Sequence, residues 1–155
     1  MNQELLSTSN RNRAANLRQC LLRASRCVNI IIVEKLHQRG FTELRSTHTA
    51  LLSNLDLEGS SLILVAQRAG ITKQAMGRLA DELVKLKYVS RTLNENDKRS
   101  VIIKFTPSGL ELMDYSFRIM EELENRCAYR LGGNHFKKLL SSLQEITNEL
   151  ENTSE

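Results

Sequence analysis

Hydrophobic residues recur along the chain first at helical and then at strand spacing. Ala14, Leu17, Leu21, Ala24, Val28 and Ile31 follow one another in steps of three and four, which predicts a helix from about residue 11 to about residue 39, ended by Gly40. A shorter helix is expected over about residues 43–54. The segment Asp56-Leu57-Glu58-Gly59-Ser60-Ser61 reads as a loop, with Ser61 placed to cap the next helix. Two helices then come in close succession. Leu62, Val65, Ala66 and Ala69 give the first an apolar face, and Gly70 breaks it. Thr72 is placed as the cap of the second, which runs to about Leu86. Its buried stripe is Met76, Leu79, Leu83 and Leu86, and Lys73, Gln74, Gly77, Arg78, Asp81 and Lys85 lie opposite.

The period then drops from 3.6 to 2. Tyr88 to Leu93 reads as one strand, and Val101, Ile103 and Phe105, alternating with Ser100, Ile102 and Lys104, read as its partner. Between them lies the polar run Asn94-Glu95-Asn96-Asp97-Lys98-Arg99. Thr106 and then Pro107 form a helix start, a capping side chain and proline at the first helical position. That helix is expected to reach about Leu131, where Gly132-Gly133 ends it. A last helix spans about residues 134–151, with Phe136, Leu139, Leu143, Ile146 and Leu150 on one side.

A hairpin directly after a helix-turn-helix is the winged-helix arrangement. The fold class expected is therefore mainly α with a small β-hairpin wing (α+β). Residues 1–10 form a flexible N-terminus, 11–42 an N-terminal dimerisation helix, 43–109 the winged helix-turn-helix head and 110–155 the C-terminal dimerisation helices. The flanking helices have too many apolar positions for so small a head, which points to burial against a second copy of the chain.

Composition narrows the class without deciding it. A length of 155 residues suits one compact domain or a core with helical extensions. Tryptophan is absent and aromatics are 5%, so aliphatic side chains must fill the core. The longest apolar run, from Val28 to Val33, is interrupted by Asn29 and is far too short to span a bilayer. The first residues lack the apolar block of a signal peptide, so a cytoplasmic protein with no membrane association is expected. Three cysteines argue against a disulfide framework.

Net charge is +4, unevenly spread: residues 11–45 hold eight Arg/Lys and two acids, residues 60–104 nine and four, and residues 105–155 five and nine. A basic middle with an acidic tail fits a chain that meets a polyanion on one face.

The second helix of the pair has the chemistry that DNA reading requires. Its exposed face is small or polar near the N-terminus, and that end offers free backbone N–H groups and a positive dipole suited to a phosphate. Lys73, Gln74 and Arg78 can donate to phosphates or base edges, with Arg paired to guanine and Gln to adenine as the usual matches. Gly77 costs roughly 1 kcal/mol against alanine inside a helix, a cost that close approach to DNA would explain. A solvated amphipathic helix would look similar by itself; the adjoining hairpin separates the two readings.

Over residues 62–109 the sequence resembles the multiple-antibiotic-resistance regulator (MarR) family of winged-helix transcription factors. Val65-Ala66-Gln67-Arg68-Ala69-Gly70-Ile71-Thr72 is similar to the family's helix-turn-helix opening, and Lys73 to Leu83 to its recognition helix. Tyr88-Val89-Ser90-Arg91 resembles the start of its wing, Asp97-Lys98-Arg99 the wing signature, and Phe105-Thr106-Pro107-Ser108-Gly109 the closing motif. The resemblance implies a cytoplasmic homodimer on pseudo-palindromic double-stranded DNA, with the second helix in the major groove and Arg99 in the adjacent minor groove. Gln74 and Arg78 are then the base-reading candidates, Thr72 and Lys73 lie nearer phosphate, and Lys98 assists Arg99. Asp97 and Arg91 are wing-stabilising, Asp97 by pairing with a nearby basic group. It also implies a small aromatic or anionic effector where the helical region meets the head.

Three positions depart from the family pattern. Lys87 stands where glycine is usual, so a different local turn is expected there, because a left-handed helix end costs lysine roughly 1 kcal/mol or more. Leu93 and Glu95 stand where the wing often has prolines, which predicts a more mobile wing. One branch of the family senses peroxide through a first-helix cysteine, which makes Cys20, close to Arg18, Arg23 and Arg26, a candidate redox residue. Against it, the segment from Glu43 to Asn54 lacks the tyrosines of that branch.

His37, His48 and His135 match no metal motif and are expected at the surface or at helix ends; no metal and no cofactor is anticipated. No G-x-S-x-G, phosphate-loop, H-E-x-x-H or paired-carboxylate signature nominates a catalytic residue. Besides a ligand-modulated regulator, two alternatives remain: a regulator without a small-molecule effector, and a winged-helix protein–protein interaction module.

Overall fold

The computed structural model describes residues 16–93 and 100–152. Helix α1 is Leu17–Gln38. A 3-10 turn, Ser46–His48, leads into the short helix α2, Thr49–Leu52. Strand β1, Ser60–Ser61, precedes α3, Leu62–Arg68, and α4, Lys73–Lys85. The hairpin is β2, Val89–Leu93, and β3, Val101–Phe105; α5, Pro107–Leu131, and α6, Gly133–Asn152, complete the chain. Contacts divide it into two compact units, Met1–Tyr115 and Ser116–Glu155.

Polar caps set the helix starts. The side chains of Asn16, Ser61 and Thr72 accept the backbone N–H of Gln19 at 3.0 Å, Leu64 at 3.2 Å and Ala75 at 3.2 Å. Each satisfies one donor that the first turn leaves orphaned, worth about 1 kcal/mol. Helix ends repeat one device. After α3 the N–H of Ile71 reaches the carbonyl of Ala66 at 3.1 Å, and that of Gly70 the carbonyl of Gln67 at 3.0 Å. The same paired bonds close α1 through Gly40 and Phe41, and α4 through Lys87 and Tyr88.

The core of the first unit is aliphatic, as the shortage of aromatics requires. Leu51, Val65, Met76, Ala80, Leu83, Ile103 and Leu112 are fully excluded from solvent. The buried stripe of α4 differs slightly from the expected one: Ala80 is central, whereas Leu79 and Leu86 are only half-buried. A tilted aromatic cluster stands beside this core. Phe41 lies between Tyr88 and Tyr115, at 5.9 and 5.8 Å between ring centroids, and the Arg39 guanidinium sits 5.3 Å from the centre of the Tyr115 ring.

Three expectations are corrected. The helix predicted over residues 43–54 starts only at Ser46, because Arg45 is extended and its N–H is accepted by the His48 ring instead of entering a helix. Ser60 and Ser61, read as loop, form a third strand paired with Ile103 and Ile102, giving the sheet order β1-β3-β2. Gly59 makes that approach feasible: it sits at φ +100°, and a Cβ there would lie 2.8 Å from the Ile103 carbonyl oxygen. Finally, Lys87 adopts φ 63°, so the turn keeps the left-handed form despite the missing glycine.

That turn is held from outside. The Thr106 hydroxyl donates to the Lys87 carbonyl, the Thr106 N–H donates to the Tyr88 carbonyl at 3.0 Å, and the Gly109 N–H returns to the Thr106 hydroxyl at 3.1 Å. Gly109 presses so closely on this junction that a Cβ would stand 1.9 Å from the Tyr88 carbonyl oxygen. No side chain fits there.

In the second unit Ile119 and Leu123 are buried, but α6 buries no residue at all. Leu139, Leu140 and Leu150 are exposed, as are Leu17, Leu21 and Leu22 at the start of α1 in the first unit.

Two substitutions test the junction. Lys87→Gly relieves the left-handed strain and should raise unfolding free energy by about 1 kcal/mol. Gly109→Ala should lower it by about 2 kcal/mol or more, since backbone must move. Urea denaturation reads both; a stabilising Gly109→Ala would refute the close approach.

Candidate nucleic-acid interface

The interface is built on α4. Thr72 caps it from an extended conformation, so its hydroxyl takes the Ala75 N–H and its carbonyl the Met76 N–H at 3.0 Å. The N–H groups of Lys73 and Gln74 are left without an intrahelical acceptor. Burial of Met76, Ala80 and Leu83 turns the other side of the helix outward. Thr72, Lys73, Gln74, Arg78, Asp81 and Lys85 are all exposed. Among the described residues no side-chain hydrogen bond or ion pair engages Lys73, Gln74 or Arg78. The structure thus leaves four of the expected residues, Thr72, Lys73, Gln74 and Arg78, exposed on α4 and its cap.

Gly77 is placed differently from the others. It is half-buried, and a Cβ there would stand 4.0 Å from Leu62 Cδ2, an ordinary contact. It lies on the flank toward α3, with room for a methyl group. Asp97, Lys98 and Arg99 lie outside the described residues. Arg91 pairs with Asp81, which ties β2 to α4.

The second flank of α4 carries a network that periodicity did not reveal. Glu82 Oε2 accepts from His48 Nε2 at 2.9 Å and from the Arg45 guanidinium. His48 Nδ1 accepts the Arg45 backbone N–H at 3.2 Å, which fixes the ring as the neutral Nε2–H form. His48 stands at a helix end, as expected, where the 3-10 turn meets α2, but it is only 1% exposed and so is not a surface histidine. His48 and Glu82 are 34 residues apart, so no local pattern links them. His37 is also engaged, its Nε2 lying 2.7 Å from the Leu44 carbonyl oxygen.

The hydrogen bond from His48 holds the Glu82 carboxyl below the usual glutamate range, with the Arg45 charge adding to it against some desolvation. Asp56 is lowered in the same way, by its hydrogen bonds to Ser60 and then Arg68. Arg68 also bonds the Asn54 carbonyl at 3.3 Å, so the loop before β1 is fastened to α3.

Cys20, Cys27 and Cys127 are free and exposed. Among the described residues no group of three His, Cys, Asp or Glu side chains could hold a metal, and no helix is long and apolar enough to cross a membrane.

Residues 40–100 match the model of the family described as the MarR family. No curated protein matches the chain significantly in sequence. Solved structures share its fold. A MarR transcriptional regulator from Methanosarcina mazei Go1 superposes with a TM-score of 0.77 at 19% identity, covering 88% of this chain and 97% of that one. Wild-type MarR from E. coli, in its apo form, gives 0.65 at 19%, covering 85% and 96%. The transcriptional repressor CouR, solved bound to a 23-mer DNA duplex, gives 0.71 at 23%, covering 88% and 95%. At these identities the likeness speaks for the fold.

Since Glu82 is depressed, the stability it contributes is fully present above the ordinary glutamate range and is lost as pH falls through its lower folded value. The stability gap between the parent and Glu82→Gln should therefore close as pH falls from the ordinary glutamate range through the lower folded value. A gap independent of pH in paired urea titrations would refute the network.

Proposed function

We propose that this chain, a MarR-family winged-helix protein, is a sequence-specific DNA-binding transcriptional regulator acting as a homodimer on a pseudo-palindromic operator. The family's members are transcription regulators, not enzymes. The observation that carries the reading is the exposed, unengaged row of Lys73, Gln74 and Arg78 at the capped start of α4, with a hairpin immediately after the helix. In this reading Gln74 and Arg78 read base edges, and Thr72 and Lys73 sit at phosphates. Lys98 and Arg99 reach the minor groove, Arg99 reading groove width more than base identity. Asp97 and Arg91 brace the wing, Arg91 through Asp81.

Residues 43–109 form the DNA-binding head, and residues 11–42 and 110–155 dimerise. The apolar stripe of α6 supports this, because a 20-residue helix whose residues are at most half-buried leaves apolar surface for a partner. A small aromatic or anionic effector, a cytoplasmic location and the absence of any cofactor complete the proposal. A redox sensor acting through the exposed Cys20 is the second reading, tested by DNA release from Cys20→Ser on peroxide treatment.

Binding to an arbitrary duplex at low salt, read by fluorescence anisotropy, should reach about micromolar affinity; no binding there ends the DNA reading in favour of a protein–protein module. Arg78→Ala should cost about 1–3 kcal/mol on the preferred sequence and relax sequence preference. Equal loss on preferred and scrambled DNA would contradict base reading. Replacing Leu139 and Leu143 together by glutamate should turn the dimer into a monomer in light scattering, and an unchanged mass would reject α6 as the dimer surface.

A further inference from the structure

Helix α4 places two acids beside its central arginine. Asp81 and Glu82 come three and four residues after Arg78, the two spacings at which helical side chains meet. A helix alone would let either carboxylate pair with Arg78 and occupy the guanidinium meant for a base edge. In the folded protein both carboxylates are held by other elements. Asp81 is paired with Arg91 of β2. Glu82 is bonded to His48 of the 3-10 turn and to Arg45, the extended residue just before it. Arg78 itself has no side-chain partner among the described residues.

The two diversions come from opposite flanks of α4, one from the wing strand and one from the turn before α2. The order arginine-then-acid is also the weaker one for pairing within a helix, so an outside partner wins readily. His48 secures the second diversion. Its Nδ1 is engaged by the Arg45 N–H, so its Nε2 hydrogen points at Glu82, and its burial keeps it there.

We propose that Arg91 on one side, and Arg45 with His48 on the other, are positioning residues that keep Asp81 and Glu82 off Arg78 and so hold its guanidinium free for sequence reading. The proposal rests on Arg78 being a base reader. It goes beyond that reading by assigning the residues that control the reader without touching DNA. It also gives Arg91 a second task besides bracing the wing.

The test is reversal of a loss by neutralising an acid. A duplex selected by the parent protein from a random-sequence pool is compared with its scrambled version at low salt. Arg45→Ala should lower the ratio of the two affinities about twofold, and Arg45→Ala with Glu82→Gln should restore it. Arg91→Ala and Arg91→Ala with Asp81→Asn should behave alike. Loss of an arginine's general attraction to phosphate changes both affinities and leaves the ratio unmoved. If the pairs merely brace the fold, removing the acid as well cannot restore the ratio, and that result overturns the proposal. If the parent selects no duplex, the DNA reading itself has failed.

A second arm needs no DNA. Titration of the Glu82 carboxyl by carbon NMR should move little with Arg78→Ala in the parent, and should move clearly further with Arg78→Ala once Arg45 is alanine. A Glu82 titration that moves as far with Arg78→Ala in the parent as in the Arg45→Ala background means that Arg78 was never free, which overturns the proposal whatever DNA does.

Discussion

Helix α4 points where it does because its last turn is locked to the first turn of α5. The Tyr88 carbonyl lies at the centre of that lock. Tyr88 ends the helix through the bond between its own N–H and Leu83, while its carbonyl accepts the Thr106 N–H and lies against the bare Cα of Gly109. The Thr106 hydroxyl bonds both the Lys87 carbonyl and the Gly109 N–H. One residue thus ends β3, caps α5 and fastens the exit of α4. The left-handed Lys87 persists under this constraint, since the surrounding bonds over-determine a conformation that lysine disfavours. The wing strand β2 starts from the same place, one residue beyond Tyr88.

The remaining control over α4 is electrostatic. The helix carries a basic reading row and two acids in the same exposed arc. Partners from β2 and from the turn before α2 satisfy the acids, leaving the cations unengaged. Such exposed pairs add little to stability. Their arrangement decides instead which charges the helix presents. The buried His48 makes one of these pairs specific, because a neutral ring with both nitrogens committed has one orientation available.

Much of this is legible in the sequence because it is periodic or local. The stripe of α4, the caps Ser61, Thr72 and Thr106, the strands either side of Asn94–Arg99 and the stop at Gly132 come from spacing and side-chain chemistry. The winged-helix order and the MarR resemblance come from these together. Contacts distant in sequence are not legible. Strand β1 is two residues long and exists only because Gly59 lets the loop meet Ile103. The late start of the helix after Arg45 depends on a histidine ring taking a backbone N–H, and the partner of the buried His48 is Glu82, 34 residues on. The turn at Lys87 runs against its local cost because the Thr106 bonds override that cost from 19 residues away. Within the reading row, Thr72, Lys73, Gln74 and Arg78 are identifiable from the helix pattern. The position of Gly77 toward α3 is not, since it depends on Leu62.

In the proposed function the outward face of α4 reads DNA in a two-fold symmetric assembly. Repeated selection of bound duplexes from a random-sequence pool, with sequencing of the survivors, tests that most directly. An enriched inverted repeat with half-site centres about ten base pairs apart, one helical turn, is the expected result. Enrichment of a single unrepeated site, or none after several rounds at moderate salt, would contradict it.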